Sequence, residues 1–216
     1  MRRGTSRPSR VRYRVWQDGG VAQASHEARG PDLVGVHRIE ARETALLDTE
    51  IIVSIWRSAD RLRIEHKGGP EHGAFGISDN ERWWSWNPHR GGTRTSDRSP
   101  PNARWIGTGT DSFLDPARLY DTLRFGPVDH GTRLGRPVLV AEAWPRPEAD
   151  HPAAIGRYAD RYRVELDAAT GLVLGVHAFF AELRYQTIDV IDLDLDGALD
   201  PNLFVFHEPL NVEFVA

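Results

Sequence analysis

Residues 160–206 read DRYRVELDAATGLVLGVHAFFAELRYQTIDVIDLDLDGALDPNLFVF, and their alternation sets the fold class. Tyr162, Val164 and Leu166 fall on one side of a period of two, with Arg161, Arg163, Glu165 and Asp167 on the other. That is the pattern of a strand with one buried and one wet face. Asp167, Thr170 and Gly171 follow as hairpin chemistry: the Asp opens the turn, and the Gly takes the positive φ that closes a short loop. A second strand is expected from Leu172 through Leu174, Val176, Ala178 and Phe180, and a third from about Tyr185. The apolar phase passes from Ile188 and Val190 to Ile191, Leu193 and Leu195, a slip of one that a period of two tolerates only through an extra residue. A β-bulge is therefore expected at about Val190–Ile191.

Outward from this stretch, similar alternation predicts strands over Val11–Val15, Val34–Glu43, Glu50–Trp56, Arg61–His66, Ala74–Ile77, Arg82–Trp86 and Val138–Trp144. The first is expected to end at a Gly19-Gly20 turn, and the next residues, Val21 to Pro31, carry no clear signal. Asp115-Pro116 is the one good helix start, an N-cap acceptor with Pro at the first helical position, leading into ARLYDTLRF with Leu119, Tyr120 and Leu123 on one face. Residues 87–112, rich in Gly, Pro, Arg, Ser and Thr, read as a long loop of the kind that tends to be either functional or poorly ordered. The sum is an α+β, mainly β chain: a strongly curved antiparallel sheet, or half-barrel, with few short helices at its mouth. The expected organisation is a basic arm over residues 1–10 and a single domain over residues 11–216.

Composition narrows the function classes. With 216 residues, 40% of them hydrophobic, and a formal charge of -4, the chain has enough apolar content for a core and no field that would draw nucleic acid. It contains one Lys, Lys67, against 26 Arg, the bias of a G+C-rich, bacterial kind of genome. Zero Cys excludes disulfides, thiolate metal sites and Cys nucleophiles. The basic start is not followed by an apolar segment of a signal peptide, and no run approaches the ~18 apolar residues of a spanning helix. The chain as written reads as cytoplasmic, and as extracytoplasmic if a leader has been removed upstream.

Several motifs together resemble the LolA-like superfamily, the lipoprotein carriers and related lipid-binding or envelope-sensing domains. SDNERWWSWNP at residues 78–88 looks like the family hairpin of Ser-Asp-Gly, Trp, an aromatic, and Asn or Asp before Pro. IWRSADRLRIEH at 55–66 resembles its Arg-bearing strand pair, YRVELDAATGLVLGV at 162–176 its later hairpin, and LDPNLFVFHEP at 199–209 its closing strand. Their order and spacing agree over residues 50–209. The resemblance implies a concave apolar face that holds acyl chains or another hydrophobic ligand without covalent chemistry. Arg57 matches the arginine that ties a helical lid to the barrel in the carriers, although Ser58 stands where Pro is usual.

The candidate site residues follow from strand phase. Trp84, Trp86, Trp144, Tyr162, Val164 and Phe180 are the candidate ligand contacts, each with core packing as the plain alternative. Glu142, in phase with Val138, Val140 and Trp144, is the candidate catalytic carboxylate should the cavity be an enzyme's. Asp192, Asp194, Asp196 and Gly197 match the first half of a calcium loop, but Leu203 stands at the position of its bidentate Glu, so no metal is assigned. Glu65-His66 and Glu71-His72 flank a Gly-Gly-Pro turn without a third zinc ligand. No cofactor motif is present. Three readings stay open: non-enzymatic binding of a hydrophobic small molecule or lipid, an enzyme using the same cavity, and a sensor or protein-interaction domain working through residues 87–112.

Overall fold

The computed structural model describes residues 9–29, 48–58, 61–78, 82–89, 91–95, 117–146, 156, 158–207 and 214–215. These residues are mainly β: twelve strands, two short helices and a 3-10 turn. They form two compact units, one drawn from Met1–Tyr13, Ile51–Gly107 and Ile191–Ala216, the other from Arg14–Glu50 and Thr108–Val190. The expected strand at Val34–Glu43, the helix start at Asp115-Pro116 and residues 1–8 of the arm lie outside the described residues.

The second unit contains most of the 160–206 stretch. After β1 (Ser9–Gln17) come helix α1 (Gly19–Arg29), helix α2 (Ala117–Thr122), β7 (Leu123–Arg133), β8 (Arg136–Pro145), β9 (Arg161–Asp167), β10 (Val173–Phe180) and β11 (Leu183–Asp194). The strand order here is β11-β10-β9-β8-β7, and β1 is divided, residues 9–13 belonging to the first unit and 14–17 to the second. The ladders from β7 to β11 are antiparallel. Ala143 pairs with Tyr162 and Tyr162 with Ala178, while Ala141 pairs with Val164 and Val164 with Val176. Paired residues share a face, so these side chains make one apolar wall, and each is buried. Fully burying a side chain of the size of Val164 stabilises the fold by about 1.5–3 kcal/mol.

The hairpin between β9 and β10 is closed as its sequence suggests. Asp167 Oδ1 accepts from the amides of Ala169 (3.1 Å) and Thr170 (2.8 Å) and from the Thr170 hydroxyl (2.8 Å). Gly171 sits at φ 72°, a conformation that costs a side-chain-bearing residue. The other Asp167 oxygen accepts from Arg136 Nε. Chiefly that guanidinium, helped by Thr170 and opposed by burial, holds the Asp167 carboxyl down at about 2.

Some sequence expectations give way. Gly19-Gly20 opens a helix instead of a turn: Asp18 is its N-cap, with Oδ1 accepting from Val21 N and the Asp18 carbonyl from Ala22 N, both at 3.0 Å. Asp48 adds an acceptor for Gly19 N at 3.0 Å. The helix buries Ala22 and Ser25 and packs on β10. The helical run expected in ARLYDTLRF stops at Thr122, because Leu123 is already paired with Pro145 in the β7–β8 ladder; sheet pairing overrides helix propensity there. Tyr120 is 52% exposed and so leaves the face that Leu119 and Leu123 bury. The register break recorded on β11 lies opposite Ala178/Phe179, where Tyr185 is the extra residue, and the β10 pairing runs unbroken from Gln186 to Asp189. That pairing ends at Asp189, short of the bulge expected at about Val190–Ile191; Thr187 and Asp189 are buried together with Ile188 and Val190, so both faces of the strand are covered there.

The first unit holds β2 (Thr49–Ser58), β3 (Arg61–Lys67), β4 (Phe75–Ser78), β5 (Trp83–Asn87), β6 (Gly91–Thr95) and β12 (Phe214–Val215). Its strand order is β12-β6-β5-β4-β3-β2. The meander from β2 to β6 is antiparallel, and β12 joins β6 in parallel. β6 lies inside the span expected to be a loop, since Gly, Thr and Arg there gain their backbone partners from β5. The closing segment is likewise no strand at Pro201–Phe204 but a 3-10 turn. Asp200 caps it by accepting from Asn202 N at 2.9 Å. Among the described residues no helix is long and apolar enough to cross a membrane.

Asp167→Ala removes three turn bonds and one ion-pair partner of Arg136 together, and the expected loss in chemical denaturation is about 2–3 kcal/mol. Asp167→Asn keeps a turn acceptor and is expected to lose less than half of that. For the wild type, the Asp167 contribution is present above about pH 4 and disappears as the pH falls towards 2. Equal losses for the two variants would show that the turn acceptor contributes nothing.

Candidate functional site

The aromatic concentration of β5 is sorted by strand phase. Trp83, Ser85 and Asn87 are buried on one side, and Trp84 and Trp86 are half-buried on the other. Trp86 pairs with Phe75 and Trp84 with Ile77, and Ile77 in turn pairs with Arg63. Arg63, Phe75, Ile77, Trp84 and Trp86 therefore share one face of the first unit. The segment after the 3-10 turn lies against it. Phe206 stacks on Trp84 with ring centres 5.8 Å apart and planes 9° from parallel, and it meets Phe75 at 5.9 Å.

Arginines frame this face. The Arg63 guanidinium lies 5.7 Å from the centre of the Phe75 ring and that of Arg82 lies 6.0 Å from Trp84, distances at which a cation is drawn to an aromatic face. Arg63 also donates to the Leu203 carbonyl (2.8 Å) and to Glu65 (2.7 Å). Trp83 points the opposite way and covers Gly76, where a Cβ would stand 2.5 Å from the indole.

At the end of the same strands His66, Glu71, Ala74, Phe75, Ser85, Trp86 and Asn87 line a small cleft of about 20 Å³, room for roughly one water molecule. Asn87 donates to Glu71 across it. His66 is 4% exposed, and among the described residues neither ring nitrogen finds a hydrogen-bond partner. Burial pushes its imidazole down to about 4, so it is neutral at pH 7. His72 does not face it as a second ligand, since its Nδ1 accepts from Gly68 N at 3.0 Å within the hairpin loop.

The second unit carries an ionic ladder on the face opposite its apolar wall. Arg133 donates to Glu165 (2.8 Å) and to Asp189 (2.7 Å), and His177 Nε2 lies 2.9 Å from the same Asp189 oxygen. Gly175 makes this possible: a Cβ there would come within 2.7 Å of the Arg133 guanidinium, so the glycine leaves a slot across β10. Burial alone would lift the Asp189 carboxyl, but His177 and Arg133 outweigh it and hold it below the usual range. Burial works against the Arg133 charge too, and Glu165 and Asp189 overcome it.

The sequence candidates are distributed between these places. Trp84 and Trp86 come together on the aromatic face, with Phe75, Phe206 and Arg63, which strand phase alone did not single out; the Phe-x-Phe of residues 204–206 was the available signal. Tyr162 and Val164 are 0% and 1% exposed in the wall of the second unit. The Tyr162 hydroxyl is committed to the Gly156 carbonyl at 2.9 Å. Phe180 is half-buried at the end of β10. Trp144 has Arg124 over its ring at 5.9 Å, and Gly126 leaves space for the indole. Glu142, 40% exposed, accepts from Arg161 at 2.5 Å, an ion pair at a wet rim. Arg57 is half-buried on β2 opposite Leu62. In the acidic run, Asp194 accepts from Gly197 N at 2.8 Å, and Asp192 pairs with Arg10 at 3.0 Å.

No protein-family model matches the sequence, and no curated protein matches it either. Solved structures do match. An uncharacterized conserved protein from Thermus thermophilus aligns over 97% of this chain and 90% of its own, with 10% identity and a TM-score of 0.52. MucB aligns over 98% of this chain at 14% identity and a TM-score of 0.51; the chain spans 61% of it. Proteins of the LolA superfamily are also among the structural matches. One from Nitrosomonas europaea aligns over 93% of this chain and 91% of its own, with 8% identity and a TM-score of 0.35. At these identities the likeness is one of fold.

The His66 environment makes a pH prediction. Its native pKa lies below the unfolded value, so the unfolded chain takes up the proton first and stability falls as the pH drops from about 6.5 to 4. The expected loss is about 3 kcal/mol across that window. His66→Leu should flatten that part of the profile in urea titrations at stepped pH. An unchanged slope in the variant would place the pH dependence elsewhere.

Proposed function

We propose that the chain is a non-enzymatic binding protein that takes a hydrophobic small molecule or lipid on the aromatic face of its first unit. The observation that carries this reading is the aromatic face of Phe75, Trp84 and Trp86, on which an aromatic ring, that of Phe206, is seen to stack, with Arg63 and Arg82 at its margins. Such a face offers large apolar area at low entropic cost, with cationic groups placed to meet a polar end. Tyr162 and Val164, buried in the second unit, are walls of the fold instead of contacts. The acid–base alternative is the weaker one, because Glu142 is ion-paired and 40% exposed where a raised carboxylate calls for an apolar pocket.

A second reading, recognition of a protein partner, is favoured by the fold likeness to MucB, which has been crystallised in complex with MucA(peri). It draws on the parallel pairing of Phe214–Val215 with Gly92 and Thr93, in which the edge of β6 accepts an extended segment.

Titration with dansylundecanoic acid, a fluorescent fatty-acid probe, tests the first reading. Saturable binding is expected, and Trp84→Ala should weaken it about tenfold, or about 1.4 kcal/mol. Trp86→Ala should weaken it less. Binding that neither change affects, or no binding even by Phe206→Ala, where the ring stacked on Trp84 is gone, overturns the proposal.

A further inference from the structure

The face proposed for the ligand already has an occupant, and it is part of the same chain. The occupant contributes two different interactions. The Leu203 carbonyl takes a hydrogen bond from Arg63 at 2.8 Å, and the Phe206 ring lies parallel to Trp84 and against Phe75. An acceptor and an apolar body, three residues apart, thus satisfy the guanidinium and the aromatic face together. The segment is shaped locally for this: Asp200 caps the 3-10 turn Pro201–Phe204, and Val205 N donates to Asn202 O at 3.1 Å. Phe204, 6% exposed, anchors it, whereas Val205 beside it is 44% exposed. The anchorage is short, since the 3-10 turn has a single turn's worth of residues and such turns are held by few bonds.

We infer that residues Leu203–Phe206 act as an intramolecular strap over this face. A ligand with an apolar body and a carbonyl or carboxylate acceptor displaces Phe206 from Trp84 and the Leu203 carbonyl from Arg63. This rests on the proposed binding reading and adds a ligand class and a regulating element to it. Binding and strap docking exclude each other, so part of the ligand's interaction energy is spent on releasing the strap, and the measured affinity is lowered accordingly.

Two measurements on the full chain test the strap. Phe206→Ala is expected to bind dansylundecanoic acid about tenfold more tightly than the wild type, with Trp84→Ala in the same background reversing the gain. In the wild type, amide hydrogen exchange over residues 200–207 is expected to quicken when the probe is added, a readout that needs no variant to fold. Binding that is sensitive to Trp84 but unchanged or weaker in Phe206→Ala overturns the strap and leaves the binding reading standing, with Phe206 as a wall of the site. Slower exchange over residues 200–207 on adding the probe overturns the strap likewise. No binding by either protein overturns both. Binding by Phe206→Ala alone supports the strap in its strongest form.

Discussion

The second unit is held to one register by the need to take a single apolar wall out of water. Ala141 and Ala143 on β8, Tyr162 and Val164 on β9, Val176 and Ala178 on β10 and Ile188 on β11 can be buried together only in the observed pairing. A one-residue slip of any strand would turn its share to the other face. The register also positions the polar partners. Tyr162 is admitted to the wall because its hydroxyl finds the Gly156 carbonyl, and Gly156, at φ 51°, has room for no Cβ beside Ala178. Helix α1, capped by Asp18, contributes Ala22 and Ser25 to the buried set and packs on β10.

The opposite face of that unit shows why both sides of β11 are buried. Asp189 and Thr187 would be poor choices for a covered position without partners. Arg133 and His177 supply those of Asp189, and Gly175 makes the space. Partly buried ion pairs of this kind add little net stability because desolvation offsets attraction, yet leaving one member without the others is costly. Their effect is to tie β7, β9, β10 and β11 to one arrangement.

In the first unit the same alternation serves a different end. Trp83 closes over Gly76, while Trp84 and Trp86 are left on the face where Phe75 and Arg63 stand. A side chain that is half-buried against a ring of its own chain is available for exchange in a way that Tyr162 is not. The difference between the wall of the second unit and the proposed binding face of the first is the difference between a side chain enclosed by strand neighbours and one covered by a short capped turn.

Local chemistry made much of this legible in the residues themselves. The alternation in residues 161–165, the Asp-Thr-Gly turn and the Trp-rich strand each depend on neighbours a few positions away, and each is present in the structure, whereas the alternation ends where Asp167 is buried to cap the turn and Leu166 is half-buried. The two glycines after Asp18 read as a turn, and only the structure shows Asp18 capping a helix there. A mainly β chain of antiparallel hairpins, with its aromatic residues sorted by strand phase, follows from the order of residues alone, because a period of two and turn geometry are local properties. That Leu123 begins a strand, that Arg133 crosses Gly175 to reach Asp189, and that Phe206 covers Trp84 were settled by the folded chain. Each of those depends on residues far apart in the chain, brought together by sheet pairing that no local pattern encodes.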